Sequence, residues 1–233
     1  EVMQYACKAP TVNNDNINKT LIIMIPNTED YGGVTYMWDD GSAIAYCPMS
    51  DYGYPLDFRG VIQHEAGGHG FGKLGDEYIY HNAFIQACNC TCCPHAYELM
   101  SAQSKGWFQN LSLTGKMSDV PWRNFIFHEK YSGFVDIFEG GYMHSRGVFR
   151  SEQNSCMNNE IPYYSTISRY EIVKRIMEYA GEPFSFDKFV ENDIVEAIAE
   201  TSATKDGNTG MDSRSASMNS HEPVFMGERK TLR

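Results

Sequence analysis

Four glycines, Gly67, Gly68, Gly70 and Gly72, crowd one proline-free stretch from Asp57 to Lys73 that otherwise reads as a helix with Asp57 as its N-cap. In a regular helix each glycine costs up to about 1 kcal/mol relative to alanine, so something other than propensity must hold this one. The same stretch carries His64 and His69, five positions apart. On an α-helix a spacing of four turns two side chains about 40° apart, whereas five turns them about 140° apart, too far to share one small ion. A π-type turn, bonded from i to i+5, restores a common face at that spacing, and such turns occur often at functional sites. The spacing therefore predicts a π-type widening at Ala66-Gly67-Gly68.

The rest of the chain supplies a frame for this helix. Thr20 to Ile25 is an apolar, β-branched run stopped by Pro26 and reads as a buried strand. Val34 to Trp38 and Ala43 to Cys47 flank Asp39-Asp40-Gly41-Ser42, a hairpin signal. From Tyr80 to about Ser165 the chain is rich in glycine and aromatic residues and reads as irregular. Ser165 to Ala180 is the clearest helix, with Ser165 placed to cap it and Gly181 and Pro183 to stop it. Phe189 to Ala199 reads as another helix, and the polar stretch from Thr201 to Ser220 as a long exposed loop.

Composition removes several functions. Nineteen Lys and Arg against 30 Asp and Glu leave a formal charge of −11, the wrong sign for neutralising nucleic-acid phosphates. No apolar run approaches the roughly 20 residues needed to cross a bilayer. The chain opens at Glu1 rather than at a Met, which suggests a leader or preceding domain removed from it. Of seven cysteines, Cys88, Cys90, Cys92 and Cys93 cluster while Cys7, Cys47 and Cys156 stand apart. The cluster lacks zinc-ribbon spacing, so local disulfides or buried thiols are favoured there over a structural metal.

Taken alone, a histidine pair at odd spacing is two unrelated histidines. The continuation changes that reading, because His69 is followed by Gly72 and then by Asp76 and Glu77, and a glycine-assisted turn lets the chain swing a third ligand back. The arrangement is similar to H-E-x-x-H, in which two histidines bind zinc and the glutamate acts as general base, with one residue added.

The segment HEAGGHGFGKLGDEY resembles the active-site segment of the IgA-peptidase-type zinc metallopeptidases, whose usual form reads H-E-x-x-H-x-x-G-x-x-x-D-E-Y. His64, Glu65, His69, Gly72, Asp76, Glu77 and Tyr78 fit that motif. The departure is the extra residue between Glu65 and His69; its six-residue pattern is similar to that of dipeptidyl peptidase III, an unrelated zinc enzyme. Glu139-Gly140-Gly141, Gly147-Val148-Phe149-Arg150 and Ser155-Cys156-Met157 resemble the family's approach to its methionine turn, which makes Met157 the expected residue beneath the metal. The resemblance spans roughly Leu21 to Gly181.

What the resemblance implies is a single α/β (α+β) metallopeptidase domain of the zincin type over residues 1–233. It comprises a twisted mixed sheet and active-site helix in 1–75, a lower part with the methionine turn and C-terminal helix in 76–200, and a polar loop and tail in 201–233. The family's separate N-terminal β-domain is expected to be missing from this chain. A secreted or bacterial surface location is implied, as is a zinc ion on His64, His69 and Asp76, with Glu77 as the alternative third ligand. Glu65 is the expected general base, Tyr163 and Tyr164 are candidate oxyanion donors, and the substrate is a protein or peptide, bound along a strand edge. Two other functions compete: a zincin-like protein- or glycan-binding module with little turnover, and a structural zinc or thiol module built on Cys88 to Cys93.

Overall fold

The computed structural model describes residues 1–29, 32–54, 56–86, 93–195 and 222–230, and over them the protein is a mixed α/β fold with two mixed sheets. After a short helix α1 (Val2–Ala6), β1 (Leu21–Met24) lies parallel to β3 (Ala43–Tyr46), which pairs antiparallel with β2 (Val34–Met37). The β2–β3 hairpin turns as its Asp-Gly pair predicts: Gly41 takes a φ of 90°, and the Ser42 N–H donates to Asp40 Oδ1 at 2.9 Å.

The buried strand expected at Thr20 to Ile25 is instead a half-covered edge. With only β3 beside it among the described residues, β1 turns Ile22 and Met24 toward Met3, Ile17 and Ile44, while Leu21, Ile23 and Ile25 remain partly exposed. At the other edge β2 pairs in parallel with β8 (Val224–Phe225), so the stretch expected as a trailing tail completes the first sheet. Helix α2 (Phe58–Ile62) and the segment continuing it pack Val61 and Ala66 against Ala45 and Cys47.

The region read as irregular contains the second sheet. There β4 (Ile79–Phe84) runs parallel to β7 (Met143–Arg150), and β5 (Leu111–Ser112) and β6 (Phe138–Gly141) pair antiparallel with β7. Register shifts between β4 and β7, positive φ at Met143 and Gly147, and a two-residue β5 destroy the alternation by which strands are recognised. Helix α3 (Pro94–Ser104) covers this sheet through Ala96, Leu99 and Ala102.

Helices α4 (Arg123–Ile126), α5 (Cys156–Asn159), α6 (Thr166–Ala180) and α7 (Phe186–Asn192) complete the order of elements among the described residues. Phe125, Tyr131, Ile167 and Phe189 build an aromatic core between α4, α6 and α7. Gly181 ends α6 in the left-handed region at φ 70°, as expected. Ser165 sits at its N-cap position, but its hydroxyl pairs with Ser168, and the Thr166 N–H is capped by the Glu152 carboxylate at 2.6 Å. The helix expected at Phe189 begins three residues earlier, at Phe186, capped by Ser185, and ends at Asn192. Residues 196–199, the stretch from Thr201 to Ser220, and Cys88, Cys90 and Cys92 lie outside the described residues.

Candidate metal centre

The Asp57 carboxylate accepts the Arg59 N–H at 3.1 Å and starts α2, which passes directly into a π-helix from Gln63 to Gly72. The widening predicted for three residues thus extends over ten. Gly67 and Gly68 are not there for positive φ, which neither adopts; they make room for close neighbours. A Cβ on residue 68 would meet Met157 Sδ at 2.3 Å, and one on residue 67 would meet the Tyr164 hydroxyl. The helix ends at Lys73, whose backbone is left-handed and whose ammonium donates to the carbonyls of Gly41 (2.7 Å) and Gly70 (2.8 Å).

The π-helix brings His64 and His69 to one face, and the chain after Lys73 returns Asp76 to them. His64 Nε2 stands 3.0 Å and His69 Nε2 3.1 Å from Asp76 Oδ1, and the two Nε2 atoms are 3.1 Å apart. All three side chains are fully buried. The far ring nitrogens fix the imidazoles: His64 Nδ1 donates to the Cys156 carbonyl at 3.0 Å and His69 Nδ1 to the Leu74 carbonyl at 2.7 Å. With both Nδ1 protons so used, both Nε2 atoms face each other and the carboxylate. Such a triangle of acceptors is stable only around a positive centre. Burial opposes charge on His64, but Asp76 outweighs it and pushes the imidazole up to about 10; burial likewise opposes charge on Asp76, and the two histidines hold it down to about 2.

These residues fit a metal ion. Their donor atoms lie within 4.8 Å of one another, and they are the one such group among the described residues. Zinc takes these donors at about 2.0–2.1 Å, which in a tetrahedral shell spaces them about 3.3 Å apart. The observed spacing of 3.0 to 3.1 Å needs only a small expansion. Asp76 Oδ2 and Glu65 Oε1 are buried with no hydrogen-bond partner among the described residues, an expensive state that an ion or water relieves.

Glu65, on the same helix, is 1% exposed, and its Oε2 accepts the Thr35 hydroxyl of β2 at 2.8 Å. Burial raises its carboxyl to about 7, against the pull of His69 and His64. Glu77 stays out of the cluster: its oxygens accept from Asn110 Nδ2 at 2.9 Å and from the Ser155 hydroxyl at 2.5 Å. Met157 is fully buried against the π-helix, and its carbonyl accepts the Glu77 N–H at 2.8 Å. Tyr163 and Tyr164 direct their protons elsewhere, Tyr163 to Glu152 Oε2 at 2.6 Å and Tyr164 to the Gln63 carbonyl at 2.5 Å. Neither hydroxyl offers the cluster a proton in this arrangement.

Sequence reasoning missed Thr35 and Asn110. Thr35 is one polar residue in a hairpin strand, and Asn110 precedes a two-residue strand, so neither carried a local signal. Yet Asn110 clamps both the N–H and the carbonyl of Gly75 as well as Glu77, fixing the turn that presents Asp76. No protein-family model matches the chain, and no curated protein matches it.

Proposed function

We propose that the protein is a zinc-dependent endopeptidase of zincin type, related to the IgA-peptidase-type metallopeptidases and acting outside the cytoplasm. The observation that carries this reading is the convergence of His64, His69 and Asp76 beside a buried carboxylate, Glu65, that keeps one oxygen unpaired. His64, His69 and Asp76 are the residues that would hold the ion. When bound, zinc supplies Lewis acidity that polarises a peptide carbonyl and lowers the pKa of water in its open position. Glu65 takes the proton of the attacking water on Oε1 and delivers it to the leaving amine. Thr35 keeps the other oxygen, Oε2, engaged and so sets which one faces the reaction. Asn110, through Gly75, holds the Asp76 turn.

Hydrolysis of an unfolded protein by the zinc-loaded wild type, set beside Glu65→Gln with matched zinc content, tests the reading. Loss by several orders of magnitude in the variant is expected, since the amide is nearly isosteric but cannot take the proton. Equal cleavage by the two would remove Glu65 as the base.

One observation favours a second reading. All three metal-binding side chains are 0% exposed, which suits a closed, structural site better than one that admits a substrate. On that reading the protein is a zincin-like binding domain with tightly held metal and little turnover, and the wild type itself leaves the unfolded protein intact.

A further inference from the structure

Three more histidines converge where α3 meets the second sheet. His81 on β4 and His144 on β7 are direct partners in the parallel register, and His95 stands in the first turn of α3 above them. His95 Nδ1 lies 2.9 Å from His144 Nε2, and the two rings meet edge to face with centroids 5.1 Å apart. The His81 ring stands 6.4 Å from that of His144.

The His95–His144 contact engages one nitrogen of each ring. Two imidazole nitrogens at hydrogen-bond distance hold at most one proton between them, so one of the two rings is neutral on that side. The other nitrogen of His144, Nδ1, is buried with no hydrogen-bond partner among the described residues. Acidic groups surround the cluster: Glu222 Oε1 is 3.9 Å from His95 Nε2, and Glu98 accepts the Tyr142 hydroxyl at 3.4 Å beneath the His95 ring. Carboxylates beside the rings favour a cation, and several imidazoles select a borderline transition metal over magnesium or calcium.

We propose that His81, His95 and His144 form a second, solvent-accessible site for a divalent transition-metal ion such as zinc, independent of His64, His69 and Asp76. The first centre is preassembled, whereas this one closes on binding. His81 is exposed, and a change of its rotamer toward His144 would complete three nitrogens with Glu222 at the rim. Ligands that must move, and that are open to water, give weaker and faster exchange than the buried centre.

The test is metal stoichiometry on the full chain, using zinc alone as the probe. Protein dialysed against micromolar free zinc is expected to carry two equivalents, and a weak chelator should remove one of them quickly. His81→Gln and His144→Gln should each lose the labile equivalent and keep the other, while His69→Ala should keep the labile one and lose the tight one. His81 is exposed, so its variant tests binding without disturbing the core, and an unchanged melting curve confirms this for both. A wild type that takes up no labile equivalent overturns the proposal, as does a labile equivalent that survives in either Gln variant.

Discussion

Met157 holds the place that a side chain on residue 68 would need: a Cβ added to Gly68 would come within 2.3 Å of its sulfur. The π-helix and the turn carrying Met157 are therefore fitted to each other at the level of single atoms. Gly68→Ala is expected to destabilise the protein by about 1–3 kcal/mol, the usual penalty for overpacking a filled core. In Gly68→Ala/Met157→Ala the clash is gone, so denaturant unfolding should show that the two losses do not add. Strict additivity would mean that the two residues do not press on each other.

Asp76 and Glu77 are neighbours in sequence with opposite surroundings. Asp76 faces two imidazoles, and Glu77 faces Asn110 and Ser155. Asp76→Ala is expected to lose most bound zinc, because two histidines remain. Glu77→Ala should retain the metal and instead lower stability by about 1–3 kcal/mol, since it strands buried donors. Zinc content per chain beside an unfolding curve separates the two, and greater metal loss in the Glu77 variant would reverse the assignment.

Thr35 touches no ligand, yet its hydroxyl donates to the Glu65 carboxylate and favours its charged form. Thr35→Val keeps the shape and removes the donor, so the Glu65 carboxyl rises further above its present value of about 7. On the peptidase reading, the acidic limb of the kcat/KM profile then shifts to higher pH while zinc content stays constant. A limb that does not move would show that Thr35 acts on packing alone.

Lys73 is almost completely buried, and burial, with Arg175 adding repulsion, lowers its ammonium to about 7. In the unfolded chain it titrates near its ordinary 10.5. Between about 7 and 10.5 the unfolded state therefore binds more protons than the folded one, so this group's contribution to stability rises with pH across that window and is flat, at its least favourable, below about 7. Lys73→Met lacks the titration. The stability of the wild type relative to this variant should increase from pH 7.5 to pH 10, measured by urea unfolding; a constant difference would place the Lys73 pKa near 10.5 in the folded state as well.

What could be read from the residues alone followed from local physics. The His64–His69 spacing demanded a widened helix, and the Asp40-Gly41 pair demanded a hairpin; the structure has both. The extent of the widening was not legible, because it depends on Met157 and Tyr164, which reach the helix from distant parts of the chain. The second sheet was hidden for a related reason: β7 is bent at Gly147 and bulged against β4, so its periodicity exists only in three dimensions. Thr35 and Asn110 became visible only when the strand and the turn that carry them met Glu65 and Gly75. Likewise, His81, His95 and His144 are scattered in sequence and meet only because β4 and β7 pair beneath α3.

The pairing of β8 with β2 also has a consequence for how the chain matures on the ribosome. Arg229 reaches back across 189 positions to bond Asp40, beside the hairpin whose edge Val224 and Phe225 complete. At about 5–20 residues per second, that edge waits roughly ten to forty seconds after its own synthesis for its partner to be made. During that interval the nascent chain presents unpaired backbone groups beside an apolar sheet, the kind of surface on which neighbouring chains aggregate. Closure of the first sheet consequently follows the synthesis of His64, His69 and Asp76 by about 150 residues, and a ribosome that stalls after them but before Val224 leaves a chain with its centre encoded and its edge open.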